Sequence, residues 1–320
     1  MISVQSLSKI CAALCALSTA ECLPEDPRIS KLGIQGTDIG DAGARSCSQL
    51  MQVSAWLTEL RLTACGILSG GAASIGSALC AKSCHLEILD LSENEIGPKG
   101  GMSIGAALSG NTSLKELLLV DTGIGHDGTE ALAEALKANC RLSKLNIGVN
   151  GINYADVTYL TDALSHNSNL RCLSLRGNSI CNDGADLFST ALRANSGLNF
   201  LDLNGNEISD RGAASFGAAL RVNTSLQSLN LSFNFIEDPG AIALGIALTV
   251  NSSLTCINLH YNDIGDSGAV ALGEALCQNS TLKTLTLHDC NIGSLGAEWI
   301  GKALRENSCL EPISLDRVDR

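Results

Sequence analysis

The stretch "LTCINLHYNDIGDSGAVALGEALCQNST", residues 254–281, decides the fold because its pattern returns along nearly the whole chain. Successive units begin 28 residues apart in nine of ten steps and 29 residues apart in one step. The units begin at Ile29, Leu57, Leu86, Leu114, Leu142, Leu170, Leu198, Leu226, Leu254, Leu282 and Leu310. A period of this length indicates a repeat architecture, in which each unit buries its apolar face only by stacking on its neighbours.

Each unit has a strand half and a helix half. The phrase L-x-x-L-x-L-x-x-N alternates apolar and variable residues, which predicts a short strand with its leucines facing the core. The following phrase, such as "AVALGEAL" (269–276), places apolar residues three and four apart, which predicts an amphipathic helix. One strand and one helix in every unit predict an α/β solenoid with a parallel sheet.

Three further columns of the repeat predict backbone roles rather than chemistry. The eleventh position is isoleucine in all ten complete units. The ninth position is most often asparagine, whose amide can satisfy backbone groups of the turn after the strand. The fifteenth position is glycine in nine of ten units, which predicts either a positive φ or a close backbone approach. Asn262 and Ile264 are therefore scaffold, whereas His260 and Tyr261 lie at positions free to vary.

The composition restricts the class of protein and the class of partner. The 320 residues are 45% hydrophobic but only 3% aromatic, with 32 glycines, so small side chains must let the helices pack closely. A net charge of −12 argues against nucleic-acid binding and favours a neutral or basic protein partner. No apolar run approaches the roughly 20 residues that span a bilayer, so we expect no membrane contact.

The cysteines and the N-terminus bear on localisation. The 14 cysteines form no CxxC pair and no zinc-type spacing, so we interpret them as reduced thiols of a cytoplasmic protein. Residues 1–28 are predicted to be an N-terminal capping helix, although Lys9 followed by "ICAALCAL" also imitates a signal peptide. Ten repeats are predicted over 29–309, and a terminal strand and tail over 310–320.

These units resemble the leucine-rich repeats of the ribonuclease-inhibitor subfamily, which include the repeat arrays of NOD-like receptors and the Ran GTPase-activating proteins. The resemblance covers about residues 29–315. It implies a right-handed α/β horseshoe with a concave parallel sheet and a convex layer of helices. It also implies protein binding without a shared active site, because members of this family mostly bind proteins.

Motifs that could carry chemistry have simpler explanations. "GAEWIGKA" (296–303) nearly matches a phosphate-binding loop, but Ala303 stands where the magnesium-binding hydroxyl would be. His260 and His288 occupy the same position in adjacent units, with Asp289 beside them, and two imidazoles with a carboxylate could bind a metal. We interpret them as polar residues of a solvated face. The sequence predicts no catalytic residue, no cofactor, no metal and no small-molecule substrate.

Contact residues are expected at the third, fifth, seventh and eighth positions of the strand phrase, which should project from the concave face. Two clusters emerge there. The first is an apolar centre with an acidic rim, suited to a basic partner, and comprises Ile88, Leu118 and Val120 with Asp90, Glu93, Glu116 and Asp121. The second is aromatic and comprises Phe200, Phe233 and Tyr261 with Asp202, His260, His288 and Asp289.

The sequence therefore predicts a non-enzymatic scaffold or recognition module in signalling, which binds a partner protein on its concave face. The alternative is a regulator of enzymes, either a GTPase-activating protein of the Ran activator type or an inhibitor of a basic hydrolase.

Overall fold

The computed structural model describes residues 29–311, in which strands and helices alternate. The predicted capping helix or signal peptide of residues 1–28 lies outside the described residues, as does the tail from 312 to 320. The ten strands are β1 (Lys31–Gln35), β2 (Glu59–Thr63), β3 (Ile88–Asp90), β4 (Glu116–Leu118), β5 (Lys144–Asn146), β6 (Cys172–Ser174), β7 (Phe200–Asp202), β8 (Ser228–Asn230), β9 (Cys256–Asn258) and β10 (Thr284–Thr286). The helices that follow them are α1 (Gly40–Val53), α2 (Ser69–Leu79), α3 (Gly97–Gly110), α4 (Gly125–Ala138), α5 (Tyr154–His166), α6 (Cys181–Ala194), α7 (Asp210–Leu220), α8 (Asp238–Leu248), α9 (Asp266–Gln278) and α10 (Ser294–Glu306).

These elements form two compact units, which meet in the sequence between Gly151 and Ile152. In the first unit, β1 to β5 pair in chain order, all parallel and each shifted by one repeat. In the second, β6 to β10 pair in the same way. The predicted α/β solenoid of leucine-rich repeats is confirmed.

The core of each unit lies between its strands and its helices. In β9 the outward residues are partly exposed while the central Ile257 is fully buried, and the same alternation recurs in the other three-residue strands except β3, where Asp90 is also buried. The isoleucine at the eleventh position is buried in every repeat, as Ile264 shows with no exposed surface. Leu272 and Leu276 of α9 complete the same layer, since both are also fully buried. The alternating apolar residues of the strands and the apolar residues spaced three and four apart in the helices therefore pack in one core.

Asparagine at the ninth position satisfies the backbone of the preceding repeat. The Oδ1 atom of Asn94 accepts hydrogen bonds from the backbone N–H groups of Cys65 (2.9 Å) and Ile67 (3.0 Å). Its Nδ2 atom donates to the carbonyls of Leu62 (2.6 Å) and Leu91 (2.8 Å). Buried backbone groups need such partners, so the role predicted for this column is confirmed.

Glycine at the fifteenth position permits close packing. None of these glycines is among the residues with positive φ, so the expectation of a left-handed backbone is wrong there. A Cβ atom on Gly268 would instead lie 2.8 Å from Ala241, from Asp238 and from Ile264. Glycine recurs at the fifteenth position because a larger residue would clash with its own and the neighbouring repeat.

A carboxylate from one repeat caps the helix of the next. The Oδ1 atom of Asp238 accepts from the backbone N–H groups of Gly265 and Gly268, both at 2.8 Å. Gly265 is the N-cap residue of α9 and has no side chain with which to cap it. Asp210 caps α8 in the same way through Glu237 (2.8 Å) and Gly240 (2.9 Å). Adjacent repeats are thus coupled by hydrogen bonds as well as by apolar contact.

The last described residues continue this pattern. The backbone N–H of Glu311 donates to the carbonyl of Lys283 at 2.7 Å. The equivalent hydrogen bond, from Lys283 to the carbonyl of Thr255, precedes β10. Leu310 and Glu311 are not themselves in a strand, and the rest of the predicted terminal strand lies outside the described residues.

Candidate protein-interaction surface

The eighth position of every repeat has a left-handed backbone. Its φ lies between +52° and +67° in each case. The residues are Gly36, Ala64, Glu93, Asp121, Val149, Gly177, Gly205, Phe233, Tyr261 and Asp289. Side chains with a Cβ rarely adopt this region, where glycine has no steric penalty. Glycine occupies this position in three of ten repeats, and that recurrence is the signal in the sequence from which the turn could have been predicted.

Two exposed aromatic residues occupy successive left-handed turns in the second unit. Phe233 is 48% exposed and Tyr261 is 45% exposed. Their rings stack with centroids 4.3 Å apart and planes inclined by 15°. The edge of His260 meets both of them, at 5.0 Å from Phe233 and 4.4 Å from Tyr261. The structure therefore brings these three residues into contact.

His260 also joins the rings to a second histidine and a carboxylate. The ring centroids of His260 and His288 are 3.4 Å apart. The Nδ1 atom of His260 lies 3.0 Å from the backbone carbonyl of His288 and 3.8 Å from Oδ2 of Asp289. We call Phe233, His260, Tyr261, His288 and Asp289 the aromatic–histidine cluster.

The other two residues predicted for this cluster lie elsewhere, which corrects the grouping expected from the sequence. Phe200 pairs with Ser228, five residues before Phe233, and at about 3.3 Å per residue that separates them by about 16 Å along the strands. Asp202 accepts hydrogen bonds from Ser174 (3.0 Å) and Asn230 (2.8 Å) in the middle of the sheet. Phe200 and Asp202 occupy the third and fifth positions of their repeat, which lie on the strand. Phe233 occupies the eighth position, which lies beyond the end of the strand, so the three side chains do not meet.

The first predicted cluster lies together in the first unit, but its acidic character is largely cancelled. Ile88 pairs with Glu116, and Asp90 pairs with Leu118. Asp90 is only 8% exposed and accepts from Arg61 at 3.2 Å. Glu116 accepts from Lys144 at 3.2 Å. The prediction of an acidic rim is therefore wrong at these two positions, because basic side chains on the flanking strands neutralise both carboxylates.

The remaining members of that cluster lie at its end. Val120 is half-buried, whereas Glu93 and Asp121 are exposed at their left-handed turns. The backbone N–H of Glu93 donates to the carbonyl of Val120 at 2.7 Å, so these three residues share one edge.

The same sheet face also carries ion pairs on β1 and β2. Glu59 bonds Arg61 at 2.7 Å and Lys31 at 2.9 Å. The hydrogen bonds from Arg61 and Lys31 hold the pKa of Glu59 below its usual value, and the bond to Glu59 raises the pKa of Arg61. Charges of both signs alternate here, so this surface has little net charge to attract a basic partner.

Comparison with protein families adds an independent observation. A family profile described as "Leucine Rich repeat" matches six segments of the chain. These are residues 82–105, 166–189, 194–217, 222–245, 250–273 and 278–301. The matches fall in register with the strand and helix repeat. The six matched segments are therefore leucine-rich repeats.

Two solved structures show how far the likeness extends. One is described as the actin-binding site 2 of leiomodin-1, at 24% identity over 46% of this chain and 86% of that one, with a TM-score of 0.42. The other is the C-terminal domain of tropomodulin from Caenorhabditis elegans, at 15% identity over 56% of this chain and 92% of that one, with a TM-score of 0.37. A comparison with curated proteins found no match.

Two features of the helices concern the apolar runs and the phosphate-loop-like stretch of the sequence. None of those in residues 29–311 combines the length and apolar character needed to cross a bilayer. Gly296 and Ala303 of the phosphate-loop-like stretch belong to α10, and both are buried as parts of the repeat.

A groove between α6 and α7 was not anticipated from the sequence. It has a volume of about 460 Å³ and is lined in part by Asp186, Ser189, Arg211 and Ser215. Six of the ten repeats place glycine where Ser189 stands. At one of these glycines, Gly217, a Cβ would lie 2.8 Å from the backbone oxygen of Ala243 in the next helix. Arg211 bridges Asp183 and Asp186 across the groove.

Proposed function

We propose that this leucine-rich-repeat protein is a non-enzymatic interaction module that binds a partner protein through the aromatic–histidine cluster. The observation that carries the proposal is a pair of exposed aromatic side chains held in a backbone conformation that disfavours them. A left-handed residue with a Cβ costs about 1–2 kcal/mol. Gly177 and Gly205 occupy the same position in preceding repeats, so the fold itself does not require an aromatic residue there.

The cluster has the composition of an interface centre. Aromatic residues are enriched among binding hot spots, and they bring large contact area with few rotatable bonds. Phe235, two residues after Phe233 in the same repeat, is a further aromatic side chain that is 65% exposed. Exposed apolar residues that lie singly need no explanation, whereas a contiguous group marks a binding surface.

The charges beside the patch favour a basic partner. Glu207 and Asp263 are exposed at the position that Phe235 occupies in the intervening repeat. Aromatic faces flanked by carboxylates suit an arginine or lysine side chain, which gains both cation–π and ionic contacts. The net charge of −12 would also steer a basic protein toward the chain.

Binding can be tested with matched tyrosine variants. A photo-crosslinking residue at Tyr261 should capture a partner from native extract, whereas the same residue at Tyr154, exposed on α5, should not. With the captured partner purified, Tyr261→Ala should weaken binding about 30-fold, since a hot spot contributes about 2 kcal/mol. Tyr154→Ala should leave the affinity unchanged. Equal effects of the two variants would contradict the proposal.

The same experiments separate the enzyme-regulator alternative. If the protein accelerated GTP hydrolysis by Ran, and Tyr261→Ala left that rate unchanged, the proposed binding module would have to be replaced by a GTPase activator. We expect no acceleration.

We further propose that the protein works in the cytoplasm. The exposed cysteines Cys80, Cys140 and Cys309 are free thiols. Exposed free thiols are typical of reducing compartments. Thiol titration of the full chain denatured without reductant should find all 14 of its cysteines reactive, and a markedly lower number would contradict a reducing compartment.

A further inference from the structure

His260, His288 and Asp289 place three metal-ligating groups at one point of the sheet face. One ligand atom from each residue lies within 4.8 Å of the other two. All three residues are half-buried, so the groups are held in the surface rather than extended into solvent. The sequence alone favoured separate polar residues here, and it could not show that the side chains converge.

The protein already fixes the orientation of these groups. Nδ1 of His260 lies 3.0 Å from the backbone carbonyl of His288, and a neutral imidazole that donates to this carbonyl leaves Nε2 unprotonated. Such an outer hydrogen bond to a carbonyl is what orients metal-binding imidazoles in proteins. The same carbonyl accepts the backbone N–H of Tyr261 at 3.2 Å, which ties it to the adjacent turn.

We propose that His260, His288 and Asp289 form a binding site for Zn²⁺, with three protein ligands and an open fourth position. Two imidazoles and one carboxylate match the donors that Zn²⁺ accepts, at about 2.0–2.2 Å from the ion. Ca²⁺ and Mg²⁺ prefer oxygen donors throughout, so the pair of imidazoles selects against them.

To bind one ion, the three donor atoms must move closer together. Donors about 2.1 Å from a tetrahedral ion lie about 3.4 Å apart, compared with the present limit of 4.8 Å. Binding of the ion would draw the three donor atoms together through rotation of their side chains. The bound ion would join the ends of β9 and β10 beside Tyr261. The inference does not depend on the proposed partner, because the ion needs no second protein.

Titration calorimetry of the full chain with Zn²⁺ alone tests the site. The expected result is one Zn²⁺ bound per chain at micromolar protein, with no comparable heat from Mg²⁺. His288→Asn and Asp289→Asn should each weaken binding at least tenfold. Asn tolerates the left-handed backbone of Asp289 as Asp does, so the second variant should fold, which circular dichroism will verify.

His166→Asn is the matched control, because this exposed histidine lies on α5 and outside the cluster. It should bind Zn²⁺ as the unchanged chain does. Absence of saturable heat, or binding that survives both cluster variants, would overturn the proposal.

Co²⁺ provides a second readout that cysteine binding would not imitate. Its absorption spectrum should show the visible bands of a tetrahedral site without a thiolate-to-cobalt charge-transfer band. A spectrum dominated by that thiolate band would assign the metal to cysteines and overturn the site.

Discussion

At the left-handed turn of Phe233 we expect the Gly variant to be more stable than the Ala variant, which is the reverse of the usual order. Replacing an exposed residue by Ala normally gives a protein more stable than replacing it by Gly, by about 0.5–1 kcal/mol, because Gly loses more backbone freedom on folding. At Phe233, with φ of +54°, Ala retains a left-handed penalty of about 1–2 kcal/mol that Gly does not. Phe233→Gly should therefore be more stable than Phe233→Ala by about 0.5–1 kcal/mol.

Both variants lose the ring contact with Tyr261, so that loss cancels in the comparison between them. Stacked aromatic pairs contribute about 0.5–1.5 kcal/mol, which should make Phe233→Ala less stable than the unchanged chain. Phe233→Gly should lie close to the unchanged chain, since relief of the backbone offsets most of the lost stacking.

Urea denaturation followed by circular dichroism measures the difference as a shift of the midpoint, expected to be about 0.2–0.5 M between the two variants. Phe235 supplies the control, because it is exposed in the same repeat but is not among the residues with positive φ. At Phe235, Ala should be the more stable variant. If Ala were also the more stable variant at Phe233, the argument from backbone strain would be refuted.

Three further predictions concern the coupling between repeats. Gly217→Ala places a Cβ 2.8 Å from the backbone oxygen of Ala243, so thermal unfolding should show a loss of about 1–3 kcal/mol from overpacking. Asp238→Ala removes the acceptor that caps α9, and urea denaturation should show a loss of about 1–2 kcal/mol. Arg61 and Lys31 lower the folded pKa of Glu59 below its usual 4.5, so the stability that Glu59 contributes is present above that pH and is lost as the pH falls through the folded value. Urea midpoints measured from neutral to acid pH should accordingly show the gap between the unchanged chain and Glu59→Gln shrinking below pH 4.5.

The fold could be predicted from the sequence because every repeat carries the same pattern of residues. The period of the leucines set the strands, and the isoleucine column marked residues such as Ile264 that are fully buried. The asparagine column was assigned the correct backbone role, as Asn94 shows through its bonds to the preceding repeat. Repetition removes ambiguity because chance does not reproduce one column ten times.

The site was less predictable because it depends on differences between repeats. Exposure at Phe233 and Tyr261 followed from their column, but the separation of Phe200 required the register of the strands. The neutralisation of Asp90 depends on Arg61, which lies 29 residues earlier in the chain and on the neighbouring strand. Lateral contacts of this kind become visible in a sequence only after the repeats are aligned and adjacent columns are compared.

The two units offer different surfaces to a partner. In the first unit the six charged residues that face outward from the strands all take part in ion pairs on that face. They are Lys31, Glu59, Arg61, Asp90, Glu116 and Lys144. A partner binding there would have to desolvate or replace those pairs, and exposed pairs of this kind contribute little to affinity.

In the second unit, Asp202 is the one charged residue among the outward positions of the five strands. Binding beside Phe233 and Tyr261 would therefore remove apolar surface from water without first disrupting an ion-pair network. Each Å² of such surface contributes about 25 cal/mol, and aromatic rings that are already held in contact lose less conformational freedom when a partner binds. The physical asymmetry between the units, more than the exposure of any one residue, is why we propose recognition at the aromatic–histidine cluster.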